Sequence, residues 1–216
     1  MIDMASYKRR RHFAYFNSLA YPYVGTTAQV DITSLLAEIQ ARRLPFFLTF
    51  CHCAARAANQ IPELRQRIVA GRIVEFETCP TIHTVALEDE TYCSCTLEHT
   101  MPFAQYLPYA VRTQEEAKGR NTLRAEGEET LRLLFVSTLP WFSYTSLTQP
   151  VPIPADSNPR LTWGRYTRRD GKVWIPVTLL CHHGLADGVH LAKFYRLLGE
   201  EGERLAQELH SGAGDF

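Results

Sequence analysis

The sequence predicts an α/β fold, because segments with the apolar spacing of helices alternate with segments typical of strands. Helical spacing covers residues 33–41, 46–61, 102–119 and 188–209. Strand-like runs cover residues 68–76, 81–87, 90–97, 131–137, 161–168 and 172–180. With 216 residues and 45% apolar side chains, the chain has material for one hydrophobic core and lies below the length at which a second is expected. We therefore expect a single domain over residues 1–216.

The first two helices carry recognisable start signals. Residues 31–34, DITS, place short polar side chains before the apolar face of residues 35–39, which predicts a helix over 33–41. Pro45 then precedes residues 46–61, whose apolar side chains nearly surround the helix axis. We expect this second helix to be buried on most sides.

Two turns that contain glycine predict β-hairpins. Residues 68–76 have the dipeptide AG at 70–71, and the tripeptide RDG at 169–171 joins the strand candidates 161–168 and 172–180. Glycine supplies the positive φ that a tight hairpin turn needs.

The middle and the end of the chain add two helices, a loop and a strand. Helical spacing returns at 102–119, and the polar residues 119–129 that follow are expected to form a mobile loop. A strand over 131–137 then leads to Pro140, and the last helix covers 188–209.

Charge and composition restrict the partners. Twenty-three basic and twenty-three acidic residues cancel, so no net field attracts nucleic acid or an anionic membrane. The first residues lead into the basic run 8–11 without the apolar stretch of an export signal, and no segment reaches about 18 uninterrupted apolar residues. We expect a cytoplasmic protein whose partners are small molecules or its own copies.

Six cysteines raise the alternatives of a disulfide scaffold or a zinc site. Residues 51–53, CHC, and 93–95, CSC, offer five zinc ligands, but Cys51 and Cys53 point in different directions on a helix. In a chain of this length without an export signal we expect reduced, buried thiols and no bound metal.

Residues 181–188, CHHGLADG, are the strongest candidate for catalysis. They follow an apolar strand and precede a helix, so the histidines lie where side chains can face a cleft. Histidine has an ordinary pKa of about 6.5, which suits a general base in acyl transfer. The same residues also fit two hydrogen-bonded histidines at a strand end, with Asp187 capping the next helix.

Three separated motifs, in the same order, resemble the chloramphenicol acetyltransferase family. Residues 182–188 match its signature His-His, three variable residues, Asp-Gly. Residues 7–13, YKRRRHF, resemble its aromatic-x-Arg-x-x-His-Phe segment, and residues 140–146, PWFSYTS, resemble Pro-Trp-x-Ser-aromatic-Thr-Ser. The resemblance covers most of the chain.

The resemblance implies a role for five residues. His183 is the general base, and Ser146 donates a hydrogen bond to the oxyanion of the tetrahedral intermediate. Thr162 holds a water molecule beside that intermediate, while Asp187 pairs with Arg9 and supports the loop. Taken without the resemblance, Arg9 fits a solvated basic run and Ser146 an ordinary strand serine.

The resemblance also implies the fold, the substrates and the assembly. The fold is a two-layer sandwich of a mixed β-sheet covered by helices, and the protein is a homotrimer with each active site between two subunits. Acetyl-CoA is the cosubstrate, and a small molecule, most simply chloramphenicol, provides the acceptor hydroxyl. Arg165 and Tyr166 match positions near the coenzyme A nucleotide, although a strand surface of this composition needs no ligand.

The chain departs from the family where the acceptor is recognised. Ala186 replaces a cysteine, Val189 a phenylalanine and Leu147 an aromatic residue, while residues 149–152, QPVP, replace an asparagine-rich stretch. Residues 46–48, FFL, stand where the family has an aromatic pair followed by proline. The acceptor is therefore less well defined than the chemistry.

The sequence also permits two other interpretations. Condensation domains of peptide synthetases and dihydrolipoamide acyltransferases share the His-x-x-x-Asp-Gly core, although the former are about twice as long and the latter normally follow lipoyl segments. The protein is alternatively a catalytically silent relative that binds a ligand in the tunnel that holds the substrates in active members of the family. Retention of His183, Ser146, Thr162 and Arg9 favours an enzyme.

Overall fold

The computed structural model describes residues 1–120 and 129–212. The expected loop at 119–129 lies mostly outside the described residues. The helices are, in chain order, α1 (Arg10–Phe16), α2 (Thr33–Ala41), α3 (Phe46–Asn59), α4 (Pro62–Arg65), α5 (Phe103–Arg120), α6 (Glu129–Arg132) and α7 (Gly188–His210). The strands are β1 (Tyr23–Asp31), β2 (Gln66–Val69), β3 (Arg72–Glu75), β4 (Thr81–Ala86), β5 (Tyr92–Leu97), β6 (Leu134–Leu139), β7 (Arg160–Gly164), β8 (Thr167–Arg169) and β9 (Lys172–His182).

The main sheet is mixed. Its strand order is β1-β9-β7-β6-β4-β5, with β8 paired to β9. The pairs β4–β6 and β6–β7 are parallel, whereas β1 and β7 both run antiparallel to β9. Strands β2 and β3 form a separate hairpin. The predicted combination of a mixed sheet with helices is confirmed.

Helices cover one face of the sheet and form the core there. Alternate residues of β9, from Val173 to Cys181, belong to a buried cluster that also contains the apolar residues of α2, α3, α5 and α7. Phe50 of α3 meets Trp163 of β7 edge to face, with ring centroids 5.0 Å apart. The opposite face carries Thr162 and Thr178, which are direct partners in the sheet. The segment after β6 crosses this second face. Its Tyr144 ring packs closely over Gly164, and a Cβ on Gly164 would come within 2.8 Å of that ring.

Local signals located most elements correctly. Helix α2 has the predicted bounds, and α3 ends two residues earlier than predicted, at Asn59 rather than residue 61. Both hairpin turns take positive φ, 48° and 74° at Ala70 and Gly71, and 52° and 73° at Asp170 and Gly171. These conformations explain why glycine stands at the second turn position.

Several elements differ from the prediction. Helix α1 was not expected, because it is short, seven residues, and only Phe13 in it is buried. Strand β6 begins at Leu134, since the preceding residues form α6. The single strand expected over 161–168 is divided into β7 and β8. Within the described residues, no helix has the length and apolarity needed to cross a membrane.

Candidate active site

His183 is the first residue after β9, and three contacts fix it. Its backbone N–H donates to the carbonyl of Pro22 at 2.7 Å. Its ring nitrogen Nδ1 lies 3.1 Å from the carbonyl oxygen of Ala186, and its ring stacks on Phe16 of α1 with centroids 3.6 Å apart. A carbonyl only accepts, so in the neutral ring Nδ1 carries the hydrogen and Nε2 carries the lone pair. Nε2 is therefore the basic atom.

A tight turn after β9 sets the direction of this ring. The backbone N–H groups of Leu185 and Ala186 both donate to the carbonyl of His182, at 3.0 and 3.1 Å. Gly184 lies inside this turn, and a Cβ built on it would come within 3.1 Å of His182 and 3.2 Å of Phe13. Both neighbours are buried. Glycine therefore lets the loop pass close to the ring of His182.

His182, in contrast, is enclosed. It is 2% exposed, and its Nδ1 accepts a hydrogen bond from the N–H of Gly184 at 3.2 Å. Its ring meets that of Tyr23 edge to face. Burial lowers the pKa of His182 to about 4, so the ring is neutral near pH 7. The two adjacent histidines thus occupy different environments, one packed and one in the loop.

Asp187 and Arg9 form an ion pair beside this loop. The guanidinium of Arg9 contacts the carboxylate of Asp187 and also donates to the carbonyl of His183 at 3.2 Å. The two side chains are 13% and 31% exposed. Burial opposes ionisation of Asp187, but the hydrogen bond and charge of Arg9 outweigh it, and the pKa of the carboxyl lies below its ordinary value. The pair ties the amino-terminal segment to the His183 loop.

Asp187 is also the N-cap of α7. Its Oδ1 accepts from the N–H of Val189 at 3.2 Å, and its own N–H donates to Nδ1 of His190 at 3.1 Å. Nε2 of His190 lies 3.4 Å from Glu63, and this hydrogen bond is the main cause that lowers the pKa of Glu63. The carboxylate of Asp187 thus both caps α7 and pairs with Arg9. The helix-cap interpretation and the ion-pair interpretation of Asp187 are therefore both correct.

The amino-terminal segment reaches Arg9 by packing on the β2–β3 hairpin. The N–H of Ile2 donates to the carbonyl of Ile73 at 2.8 Å. A small core, separate from the main one, joins Phe13, Ile73 and Leu185. The hydroxyl of Tyr7 donates to Gln66 at 3.0 Å. The basic run is therefore fixed on both sides of Arg9.

Thr162 and Ser146 lie elsewhere, near a cavity of about 570 Å³ on the sheet face opposite the helical core. Thr162 is 4% exposed and lines this cavity. Its backbone carbonyl accepts from the hydroxyl of Tyr144 at 2.8 Å. Ser146 is exposed in the segment after β6, and Leu147, the next residue, lines the cavity.

Within one chain the structure does not bring His183 to Thr162. Thr162 pairs with Thr178 across the sheet, and His183 lies five residues further along the chain. At roughly 3.4 Å per strand residue, these positions are about 17 Å apart. One acceptor hydroxyl cannot contact both residues of the same subunit.

Arg165 and Tyr166 line a second cavity, of about 780 Å³. Both lie in the gap between β7 and β8, where Arg165 is exposed and Tyr166 half-buried. The ring of Tyr166 is 5.6 Å from that of Phe46, and Trp141 lines the same cavity. A cation and several aromatic rings therefore face one space.

The cysteines are packed in the interior. All six are free and buried, which confirms the predicted core thiols. Burial raises the pKa of Cys51 to about 12, so this thiol is not ionised near neutral pH. In the described ranges, no group of three or more His, Cys, Asp or Glu side chains is arranged to hold a metal ion.

Comparison with known proteins gives the family. The chloramphenicol acetyltransferase family profile matches residues 1–199. This chain belongs to the chloramphenicol acetyltransferase family. A chloramphenicol acetyltransferase of Klebsiella is 30% identical over 197 residues, 89% of this chain and 88% of the relative. A solved chloramphenicol acetyltransferase structure superposes with a TM-score of 0.80 at 25% identity, covering 93% of this chain and 97% of that one.

A broader group shares the fold. A dihydrolipoamide acetyltransferase structure from Azotobacter vinelandii superposes with a TM-score of 0.65 at 15% identity, covering 91% of this chain and 88% of that one. Identity at this level shows only a common architecture.

Sequence reasoning missed the contact of Phe16 with His183. The spacing of Phe13 and Phe16 places both rings on one face of a helix, but no local signal in the sequence indicated a helix there.

Proposed function

We propose that this protein is an acetyl-CoA-dependent O-acetyltransferase in which His183 is the general base, and that chloramphenicol is its leading acceptor. Family membership supports the reaction class. The observation that carries the role of His183 is its ring geometry, since Nδ1 faces a carbonyl and Nε2 keeps the lone pair. The proposal treats residues 1–216 as one acetyltransferase domain acting in the cytoplasm, where acetyl-CoA is supplied.

The proposed reaction is direct transfer without an acyl-enzyme. Nε2 of His183 takes the proton of the acceptor hydroxyl while the hydroxyl oxygen attacks the carbonyl carbon of the thioester. A C–O bond forms, and the π electrons of the carbonyl move to its oxygen, which becomes the oxyanion. Collapse of this intermediate breaks the C–S bond. His183 then returns the proton to the leaving thiolate, and the ester and coenzyme A thiol are released.

Hydroxyl groups stabilise the oxyanion in this proposal. Ser146 donates a hydrogen bond directly, and Thr162 holds a water molecule that donates a second one. Neutral donors suit this task because they favour developing negative charge without first binding a competing anion. Arg9 and Asp187 support the His183 loop and move no proton.

We place each site between two subunits of a homotrimer. The separation of about 17 Å between His183 and Thr162 within a chain supports this arrangement, because one subunit then supplies the base and its neighbour the oxyanion donors. The cavity beside Thr162 lies on the sheet face opposite the helical core, and we place the neighbouring subunit against that face.

We place the coenzyme A nucleotide against Arg165 and Tyr166. The cavity of about 780 Å³ has room for a large ligand and is bounded by aromatic rings that adenine can stack on. The guanidinium of Arg165 lies at its edge and suits a phosphate.

A thiol-release assay with acetyl-CoA and a panel of alcohols tests the reaction. Parent protein is expected to release coenzyme A thiol with chloramphenicol or another neutral alcohol. His183→Ala should abolish release while the protein stays folded, because His183 is only half-buried. His210→Ala, an exposed histidine at the end of α7, is the matched control. Near-parent turnover by His183→Ala would overturn the assignment.

Mixed trimers test the shared site. Trimers of His183→Ala and Ser146→Ala chains contain some boundaries at which both residues are native. Random assembly of equal amounts leaves about a quarter of the sites intact. Co-refolding the two impaired variants should therefore raise activity to about a quarter of the parent value. Mixed trimers that form but remain inactive would contradict the shared site.

A catalytically silent ligand-binding relative is the alternative from another class. No thiol release with any acceptor, combined with saturable binding of an alcohol, would favour it. Retention of Ser146, Thr162 and Arg9 together with His183 favours the enzyme.

A further inference from the structure

The cavity beside Thr162 contains an ion pair that the proposed chemistry does not use. Its walls are largely apolar and include Phe135, Leu139, Leu147 and Val151. Asp156 and Arg160 line the same space. They are the only charged side chains among those described as lining it, and their charges cancel.

The pair has a fixed geometry. The two terminal nitrogens of Arg160 donate to the two carboxylate oxygens of Asp156, at 2.8 and 2.7 Å. Arg160 also donates to the carbonyl of Asn158 at 3.0 Å, and its guanidinium lies over the ring of Phe135, 5.3 Å from the centroid. The hydroxyl of Tyr23 lies 3.1 Å from Oδ1 of Asp156. A bidentate pair held from several sides keeps its orientation when a ligand enters.

The carboxylate is the more open half of this pair. The side chain of Asp156 is 27% exposed, against 11% for Arg160. Oδ1 of Asp156 accepts hydrogen bonds from both Tyr23 and Arg160, whereas Oδ2 accepts only from Arg160 among the described hydrogen bonds. A carboxylate oxygen can accept a second hydrogen bond, so Oδ2 can accept one from a ligand. The cavity therefore offers a charged hydrogen-bond acceptor without a net charge.

These features restrict the ligand. A charged ligand would lose its hydration here and meet no unpaired counter-charge. A neutral molecule with an apolar body fits the walls, and a hydroxyl or amide N–H on it can donate to Asp156. A cavity of about 570 Å³ has the size of a small-molecule site.

We infer that Asp156, oriented by Arg160, determines acceptor specificity by selecting neutral alcohols that carry a second hydrogen-bond donor besides the reacting hydroxyl. This inference rests on the proposed function, because it treats the cavity beside Thr162 as the acceptor site. The donor is a hydroxyl or an amide N–H that binds Oδ2 of Asp156 while the apolar body contacts Phe135 and Leu147.

Two probes that differ by one hydroxyl test the inference, namely 3-phenoxypropane-1,2-diol and 3-phenoxypropan-1-ol. The kcat/KM of the parent protein should be about tenfold higher for the diol than for the mono-alcohol. This ratio corresponds to the free energy that one hydrogen bond to a charged group contributes. The double variant Asp156→Leu/Arg160→Met should reduce this preference to about twofold or less. Both partners are replaced together, because a single deletion would leave a buried charge unpaired. Arg168→Met, on exposed β8, is the matched control and should keep the parent preference.

A parent without diol preference, or a folded double variant that keeps it, overturns the inference. Calorimetric binding of both probes without acetyl-CoA separates this result from failure of the proposed function. If no alcohol releases thiol but the diol binds about tenfold tighter than the mono-alcohol, the proposed function fails and the specificity assignment stands. If transfer proceeds with no diol preference, the specificity assignment fails and the proposed function stands.

Discussion

The rings of Phe16 and His183 lie face to face, with centroids 3.6 Å apart and planes only 11° from parallel. Phe16 ends α1, which begins one residue after Arg9. The same short helix therefore follows the guanidinium that holds Asp187 and supplies the aromatic ring that stacks on His183. One face of the imidazole is covered, and the contact with Ala186 fixes its Nδ1 edge.

Phe16→Ala is expected to lower kcat about tenfold to a hundredfold, because a base displaced by about 1 Å loses alignment with the acceptor hydroxyl. The KM for acetyl-CoA should change little, since Phe16 does not line the cavity of Arg165 and Tyr166. Steady-state kinetics with chloramphenicol, or with the best acceptor found, measures both values.

Tyr15→Ala is the control for this substitution. Tyr15 is the preceding residue of α1, is 62% exposed and contacts Phe16 edge to face. Its removal should leave kcat close to the parent value, and Phe16→Tyr should retain the stacking. Equal losses for Tyr15→Ala and Phe16→Ala would show that helix stability, rather than ring contact, determines the rate.

The two roles of Asp187 can be separated by substitution. Arg9→Met removes the ion pair and leaves the cap, and should cost about 1–2 kcal/mol of the free energy of unfolding, since the pair is only partly buried. Asp187→Ala removes both and should cost about 1 kcal/mol more, the usual contribution of an N-cap. Asp187→Ser keeps a capping oxygen and should resemble Arg9→Met.

Urea denaturation of the three variants provides the measurement. Activity should fall in all three, because each loosens the loop that carries His183. Parent-like stability in Arg9→Met, or identical losses in Asp187→Ala and Asp187→Ser, would contradict this division.

The elements with local signals were predictable, and those defined by distant contacts were not. Helix α2 has its polar start in the sequence, where Oδ1 of Asp31 accepts from the N–H of Thr33 at 3.0 Å. The turns at 70–71 and 169–171 carry glycine where φ is positive. Helix α1 has no such signal, because its basic residues resemble a solvated run and its stability comes from packing of Phe13 on the hairpin and loop.

The same distinction holds for the site. Residues 181–188 predicted a histidine at a strand end, and the structure places His183 directly after β9, while its role as the base stays a prediction. The pairing of Asp156 with Arg160 could not be read in advance, because residues four apart meet in a helix and this segment is not helical. Only the path of the chain into β7 brings the two side chains together.

The pH dependence of stability should depend on His182. Burial lowers its pKa to about 4 from 6.5, so between these values the unfolded chain binds a proton that the folded protein does not. The free energy of unfolding therefore falls as the pH drops from 6.5 towards 4. His182→Asn, whose amide oxygen can accept from the N–H of Gly184, should flatten this slope by up to about 1.4 kcal/mol per pH unit.

Urea titrations at several pH values between 4 and 7 measure the slope. Cys181→Ala is the control, because the pKa of this buried thiol is raised to about 12 and it does not titrate in the range. It should lower stability without altering the slope. An unchanged slope in His182→Asn would show that this imidazole is protonated in the folded protein.

Ser146 and Thr162 should respond differently to the loss of a hydroxyl. Ser146 is exposed, so Ser146→Ala should leave the melting temperature unchanged and lower kcat about a hundredfold or more, as for other direct oxyanion donors. Thr162 is 4% exposed, and Thr162→Val keeps its shape while removing the group proposed to hold a water molecule, so a smaller loss of kcat is expected.

Ser143→Ala, another exposed serine of the same segment, is the control for Ser146 and should retain activity. Thermal melts and kcat on the same preparations separate the two effects. A large loss of stability in Ser146→Ala, or equal loss of kcat in Ser146→Ala and Ser143→Ala, would show that the segment acts through its conformation and not through the hydroxyl of Ser146.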